Sequence, residues 1–159
     1  AGRIEGGYRF DLPHMALTPY AAFQSQHTRT PSYTENAVSG SNAFALSFNA
    51  NTSTSTRIEV GSWFDKLIKL SQNEQIALRG RVAWAHDHSS SSTIMAAFQT
   101  LPGTSFTTNG AQAPTDLALL TSAAEYRFTN GLSIGGRLDT ETSARSRAYA
   151  GTATMRYAW

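Results

Sequence analysis

Alternation with a period of two constrains this chain more than any other feature, and the C-terminal segment shows it most clearly. Counting back from the last residue in steps of two gives only apolar or aromatic residues, namely Trp159, Tyr157, Met155, Ala153, Gly151 and Tyr149. The intervening positions are small or polar, and one of them is the charged Arg156. A period of two is typical of a β-strand whose two faces meet different surroundings. We therefore predict a terminal strand with one apolar face and one polar face.

Further segments alternate in the same way, and their charged residues fall on one parity. Ile58 and Val60, for example, alternate with Arg57 and Glu59. The predicted strands are residues 3–10, 17–26, 42–48, 54–64, 76–86, 117–128, 132–141 and the terminal strand. Several reach about ten residues, as a tilted membrane strand requires, whereas soluble strands average about 5–6. The pattern predicts an all-β, antiparallel, up-and-down transmembrane β-barrel with about eight strands in this chain.

Two segments fit this pattern less well. Pro19 lies inside the second predicted strand, where it cannot donate a ladder hydrogen bond. Residues 64–76 carry leucine and isoleucine at near-helical spacing, and we interpret them as a turn with an amphipathic kink near the lipid headgroups.

Composition supports half-polar strands rather than a thick aliphatic core. Charged residues make up 15% of the chain, against about 25% in ordinary soluble domains. No apolar stretch approaches the roughly 18 residues of a membrane helix. The net charge of +2 without a basic run gives no reason to expect a nucleic-acid partner. Because the chain has no cysteine, disulfides, thiolate metal sites and thiol catalysis are excluded.

The connections between predicted strands alternate between short and long near the C-terminus. Thr129-Asn130-Gly131 predicts a tight hairpin, whereas residues 87–114 form a long polar connection. Outer-membrane barrels have short periplasmic turns and longer extracellular loops. If the terminal strand ends on the periplasmic side, the turn at Asn130 and residues 64–76 are periplasmic. Residues 87–114 and 140–146 are then extracellular.

Candidate catalytic or metal-binding patterns are weak. His86 and His88 share one face of an extended strand, but no third ligand is recognisable, so we interpret them as a strand entering a polar loop. The serine run at 89–92 has no surrounding nucleophile elbow. No phosphate-binding or dinucleotide-binding fingerprint occurs. We assign no catalytic, cofactor or metal residue, expect no cofactor, and predict that the chain is not an enzyme.

The charged residues on the polar parity form the most informative set. We predict that they face the lumen of the barrel, and they are Arg57, Glu59, Arg79, Arg81, Glu125, Arg127, Arg137, Asp139 and Arg156. They could guide an unfolded segment and hold a linker, or they could neutralise one another in cross-strand pairs within a polar interior. Both roles are compatible, and we favour the structural one.

Several pieces of the sequence, in this order and spacing, resemble the translocator (β-barrel) domain of bacterial autotransporters, the type V secretion family. The closest piece is Gly80-Arg-Val-Ala-Trp-Ala-His-Asp87. The other pieces are residues 2–10, 17–21, 33–35, 56–61, 102–106, 116–120 and the tail ending in Trp159. The family barrel has about twelve strands, a lumenal helical linker and an N-terminal passenger. Residues 1–159 resemble the C-terminal part of such a domain.

The resemblance implies a function, a location and partners. It implies a barrel in the outer membrane of a Gram-negative bacterium that exports and anchors an N-terminal passenger polypeptide. The implied partners are outer-membrane lipid, the passenger with its linker, and the outer-membrane assembly machinery. That machinery would read the terminal strand through Tyr149, Met155, Tyr157 and Trp159, which also face lipid. The alternatives are a self-contained eight-strand outer-membrane barrel with a structural or adhesive role, and a soluble β-sandwich binding module.

Overall fold

The computed structural model describes residues 1–90, 93–101, 103–110 and 114–159. Three sequence predictions fall partly outside them, namely the serine run at 89–92, the long polar connection at 87–114 and the family-like piece at 102–106. Within the described residues the chain forms β-strands and no helix, and the strands are β1 (Gly2–Gly7), β2 (Phe10–Leu12), β3 (Met15–Thr30), β4 (Tyr33–Thr34), β5 (Leu46–Phe48), β6 (Asn51–Lys69), β7 (Gln75–Ser89), β8 (Thr93–Phe98), β9 (Ser105–Asn109), β10 (Asp116–Arg127), β11 (Leu132–Thr142) and β12 (Arg147–Tyr157). In these ranges no helix has the length and hydropathy that crossing a membrane would need.

The strands divide between two sheets. The larger sheet has the order β1-β3-β6-β7-β10-β11-β12, with β2 paired to β3. Each long strand of this sheet pairs with the long strands that precede and follow it in the sequence, as in an up-and-down meander. The registers of β7, β10, β11 and β12 are antiparallel. The all-β antiparallel prediction is confirmed. β1 and β12 are the two ends of this order, and no pairing joins them among the described residues.

The chain also separates into two compact units. The larger unit comprises residues 3–24, 57–87 and 114–159, and it contains all the predicted lumen-facing charges. The smaller unit comprises residues 1–2, 25–56 and 88–113. It holds the four-stranded sheet β4-β5-β8-β9, which is built from the two longest connections of the meander. Tyr33 and Phe48 stack there with their ring centroids 4.5 Å apart.

The strand predicted at residues 42–48 is half wrong. Only Leu46–Phe48 is a strand, and it pairs with β4 and β8 in the smaller sheet. The first residues form a turn instead, closed by a 3.0 Å bond from the Ala45 amide to the Asn42 carbonyl. The Asn42 side chain also accepts a bond from the Ala37 amide at 2.7 Å. An asparagine that hydrogen-bonds nearby backbone favours a turn over a strand.

The turn predicted within residues 64–76 is present but is shorter than that segment, because β6 continues to Lys69 and β7 begins at Gln75. The turn between them is short, and the Leu70 amide donates to the Glu74 carbonyl at 3.0 Å. Pro19 lies within β3, beside the interruption between β1 and β2. Its carbonyl accepts a 3.1 Å bond from the Tyr8 amide. A proline is tolerated there because the ladder is already broken at that point.

Two glycines are required by the local geometry. Gly131 has a φ of 81°, which suits the tight turn predicted at Asn130, and the Asn130 side chain accepts a 3.1 Å bond from the Leu132 amide. At Gly61, an added Cβ would lie 2.4 Å from the Cβ of Ala83. β6 and β7 therefore approach each other closely on the face that carries Ala83.

Candidate functional site: the charged face of the larger unit

The register of the larger sheet brings the predicted charges onto one face. Thr121 of β10 lies opposite Arg81 of β7 and opposite Asp139 of β11. One step along, Ala123 lies opposite Arg79 and Arg137. Directly opposed residues point to the same side of a sheet, and alternate residues of one strand share a side. We call this side of the larger unit the charged face.

The remaining predicted charges belong to the same face. Glu125 and Arg127 share the parity of Thr121 in β10, and Arg127 lies opposite Ser133, which in turn lies opposite Arg156. Arg57 and Glu59 reach residues of the charged face through the ion pairs described next. All nine residues are therefore gathered on one side of the sheet. That this side lines a lumen stays a prediction.

Glu59 is the centre of the most buried cluster, with only 2% of its surface exposed. Its Oε1 accepts hydrogen bonds from the Tyr20 hydroxyl and, at 3.1 Å, from Nη1 of Arg81. Its Oε2 accepts a bond from Nη1 of Arg3 at 3.2 Å. Three donors on β1, β3 and β7 thus converge on one carboxylate of β6. A buried carboxylate is tolerated only when it is paired and hydrogen-bonded in this way.

Trp63 extends the cluster along β6. The guanidinium carbon of Arg79 lies 4.0 Å from the centroid of the Trp63 ring, and that of Arg81 lies 5.2 Å away. Cations over an indole face are stabilised electrostatically. The Nε atom of Arg81 is buried without a hydrogen-bond partner among the described residues. The indole therefore covers a guanidinium whose hydrogen bonding is incomplete.

Arg57 forms a second cluster with two acids. Its Nε and Nη2 donate to the two carboxylate oxygens of Asp87 at 2.6 and 2.7 Å, a bidentate pair. Its Nη1 also donates to Oε1 of Glu141 at 3.4 Å. Glu141 belongs to β11, so this contact passes over both β7 and β10.

Two further pairs lie within single strands. Arg137 donates to both oxygens of Asp139 at 2.6 and 2.8 Å, and the Thr121 hydroxyl donates to the same carboxylate at 2.6 Å. Arg127 donates to Glu125 at 2.7 Å. Eight of the nine predicted charges thus have an ion-pair partner, four of them across strands and four within one strand, and the role of these charges stays a prediction.

A cavity of about 500 Å³ opens on the charged face near the ends of β6 and β10. Its charged lining includes Arg79, Arg137 and Arg156 together with Asp65 and Glu125. Arg156, the ninth predicted charge, points toward this cavity and has no ion-pair partner among the described residues. The charged residues that line the cavity therefore include more cations than anions.

The opposite side of the larger sheet is apolar and exposed, and we call it the apolar face. It carries Leu120, Leu138 and Val82, about half exposed each. The terminal strand contributes Tyr149, Met155 and Tyr157, also exposed, and Trp159 follows them. Exposed large apolar residues in a continuous sheet face indicate contact with something other than water.

Sequence reasoning missed several members of the charged face. Tyr20, Trp63, Asp65 and Asp87 contact the predicted charges but were not assigned to the site. Asp65 accepts from Nε of Arg79 at 3.4 Å. The signal was present, because Trp63, Asp65 and Arg57 share one parity of β6. Tyr20 lies on the polar parity of its strand with Thr18 and Gln24, whereas Trp63 was harder to assign, because aromatic residues in such strands usually face lipid.

The histidines show no metal-binding arrangement in the described part of the chain. Nδ1 of His86 lies 3.0 Å from Oδ1 of Asp116, directly across from it in the neighbouring strand. Among the described residues no group of three or more histidine, cysteine or acidic side chains is placed to hold a metal ion.

An antiparallel meander with one charged and one apolar face is consistent with the outer-membrane β-barrel class of protein. Residues 1–139 match the protein family described as the autotransporter beta-domain. The chain belongs to this family, and its domain type is the translocator of type V secretion in the outer membrane of Gram-negative bacteria. No curated protein matched the chain.

Proposed function

We propose that this domain forms part of a barrel wall through which an N-terminal passenger polypeptide is exported, and that it afterwards anchors that passenger in the outer membrane. The observation that carries the proposal is the separation of paired charges and exposed apolar residues onto opposite faces of one meander. The charged face is assigned to the lumen and the apolar face to lipid. The proposal assigns no catalytic step to the domain.

The spacing of aromatic residues on the apolar face supports a membrane position. Trp84 of β7 lies opposite Ala118 of β10. Tyr126 lies in β10, eight residues after Ala118. Eight residues span about 26 Å along a strand, or about 20 Å along the axis of a barrel whose strands tilt by about 40°. Tyr149 and Tyr157 are also eight residues apart in β12. This height is close to the apolar band of about 25 Å between aromatic girdles.

Passenger export is tested best by adding a bulky side chain to the charged face of the sheet and, as a control, to the apolar face. Thr152 and Ala153 are neighbours in β12 on opposite faces, and both are exposed. Thr152 lies opposite Arg137 and lines the cavity, whereas Ala153 lies opposite Gly136 on the apolar face. A tryptophan at position 152 enters the charged face, and the same residue at 153 enters the lipid side. The pair is therefore matched in size and strand.

The experiment uses the full-length protein with an epitope-tagged passenger in intact cells. Barrel assembly is measured by heat-dependent gel mobility, and export by protease access to the tag. We expect Thr152→Trp to lower export while assembly is retained, and Ala153→Trp to change neither strongly. Equal export by both variants at equal assembly would contradict the lumenal assignment of the charged face.

We also propose that the assembly machinery recognises the terminal strand. Physically, a strand with an aromatic row and an unpaired edge is suited to strand addition. Tyr157→Ala and Trp159→Ala should lower the amount of assembled barrel in cells more than they lower refolding in pure lipid vesicles. Equal losses in the two settings would instead indicate simple lipid anchoring.

A further inference from the structure

One cation lies in the apolar row of β6 and belongs to none of the ion pairs found among the described residues. Lys66 shares the parity of Phe64, Val60 and Ile58, which are all exposed on the apolar face. No acidic side chain of the described residues forms an ion pair with Lys66. A cation facing lipid is costly unless it reaches the interface or an anion.

An apolar depression lies next to this cation on the same face. Its lining includes Met15, Phe64, Leu78, Gly80 and Ser122, and its volume is about 370 Å³. Gly80 lines the depression and leaves room for a side chain, because the nearest heavy atom outside its chain neighbours would lie 3.8 Å from an added Cβ. One of the nearest atoms is the Cβ of Phe64, at 3.9 Å.

The charges bordering the depression leave Lys66 without a partner. Asp65 and Arg79 also line it, but their side chains pair with each other at 3.4 Å. His14 and Lys66 are the remaining titratable residues of the lining. The depression thus joins an apolar channel to an uncompensated positive charge, which is complementary to a lipid with a negative headgroup.

The position along the strand fits a lipid of the periplasmic leaflet. Lys66 precedes the end of β6 by three residues, and that end leads into the short turn assigned to the periplasmic side. A lysine at this depth can extend its ammonium group toward the headgroup phosphates while its methylenes remain in the apolar layer.

We propose that the apolar face binds one anionic phospholipid, whose phosphate is held by Lys66 and whose acyl chain lies over Gly80 between Phe64 and Leu78. The inference rests on the proposed function, because only a sheet in the membrane presents this face to lipid. The ligand is a phospholipid and not free phosphate, because an inorganic phosphate ion has no apolar part that could fill the depression.

The test uses the full domain in nanodiscs that contain phosphatidylethanolamine with a minority of phosphatidylglycerol. Native mass spectrometry measures the phosphatidylglycerol retained by each protein. Lys66→Gln removes the charge, and Gly80→Leu fills the depression but keeps the charge. Lys69→Gln is the matched control, because Lys69 lies in the same strand on the other parity and outside the depression.

We expect Lys66→Gln to lower the retention of phosphatidylglycerol about fivefold, the factor that corresponds to about 1 kcal/mol per interfacial lysine. Gly80→Leu should lower retention of both lipids, and Lys69→Gln should change neither. Equal retention by Lys66→Gln and wild type would overturn the lipid site. So would displacement of the lipid by millimolar inorganic phosphate, or no effect of Gly80→Leu. Absence of heat-dependent gel mobility in the wild type would overturn the proposed function as well, so the two failures are distinguishable.

Discussion

Removal of the Glu59 carboxylate is the sharpest test of the charged face. In Glu59→Ala, Arg81 loses its carboxylate while its side chain remains only 17% exposed. The Tyr20 hydroxyl loses its acceptor in the same step. Arg3 is less affected, because it is more exposed and keeps a 2.7 Å pair with Glu5. The result is a largely buried arginine that has lost its ion-pair partner.

The size of the effect follows from that geometry. Breaking a buried ion pair by removing one partner costs about 3–5 kcal/mol. Tyr20→Phe removes one hydrogen bond to a charged group and should cost about 1.5–3 kcal/mol. Glu125→Ala is the matched control, because Glu125 pairs within its own strand and is 34% exposed at the side chain. Exposed pairs contribute no more than about 1 kcal/mol.

The measurement is urea unfolding of protein folded into phospholipid vesicles, followed by tryptophan fluorescence. The expected order of destabilisation is Glu59→Ala, then Tyr20→Phe, then Glu125→Ala. The double variant Glu59→Leu with Arg81→Met should be more stable than Glu59→Ala, because it removes the uncompensated charge. If Glu59→Ala costs no more than Glu125→Ala, the cluster does not stabilise the sheet and the reasoning is refuted.

Two other substitution pairs test the face assignment and the packing by the same unfolding measurement. Leu138→Arg should cost about 2–4 kcal/mol if it faces the middle of the lipid layer, whereas Arg137→Ala, which loses an exposed pair within its strand, should cost less than about 1 kcal/mol. Similar costs for the two would contradict the assignment of faces. Gly61→Val should cost at least about 1–3 kcal/mol, because its Cβ would lie 2.4 Å from that of Ala83, whereas Gly136→Ala should change stability by less than about 0.5 kcal/mol, because the nearest heavy atom is 4.0 Å away. Equal losses at the two glycines would count against the close approach of β6 and β7.

The parity of charges was enough to predict the faces of the long strands. Arg81, Arg137 and Asp139 share a side in the sequence pattern, and the register places Arg81 and Asp139 opposite the same residue, Thr121. Period-two alternation carries this information because a slip of one residue would exchange the two faces. Strand bounds were less predictable, since β6 and β7 run beyond the alternating segments into residues that seemed helical in spacing.

Alternation alone could not predict which sheet a strand belongs to, or which acidic residue forms an ion pair with a given arginine. Residues 46–48 alternate like the long strands, yet they pair within the smaller sheet. Arg57 pairs with Asp87 because of the register between β6 and β7. The alternation within one strand carries no information about that register. Trp63 was overlooked for a similar reason, because its place over Arg79 arises from packing between strands.

Ion pairs that pass over intervening strands also bear on the direction in which the sheet curves. Arg57 in β6 and Glu141 in β11 are three strand spacings apart, about 14 Å along a flat sheet. Nη1 of Arg57 nevertheless lies 3.4 Å from Oε1 of Glu141, and Arg3 reaches Glu59 across β3 at 3.2 Å. Side-chain tips converge on the concave side of a curved sheet and diverge on the convex side. Contacts of this kind therefore make the charged face the concave one, which supports its assignment to the inside of a barrel and leaves the apolar face for lipid.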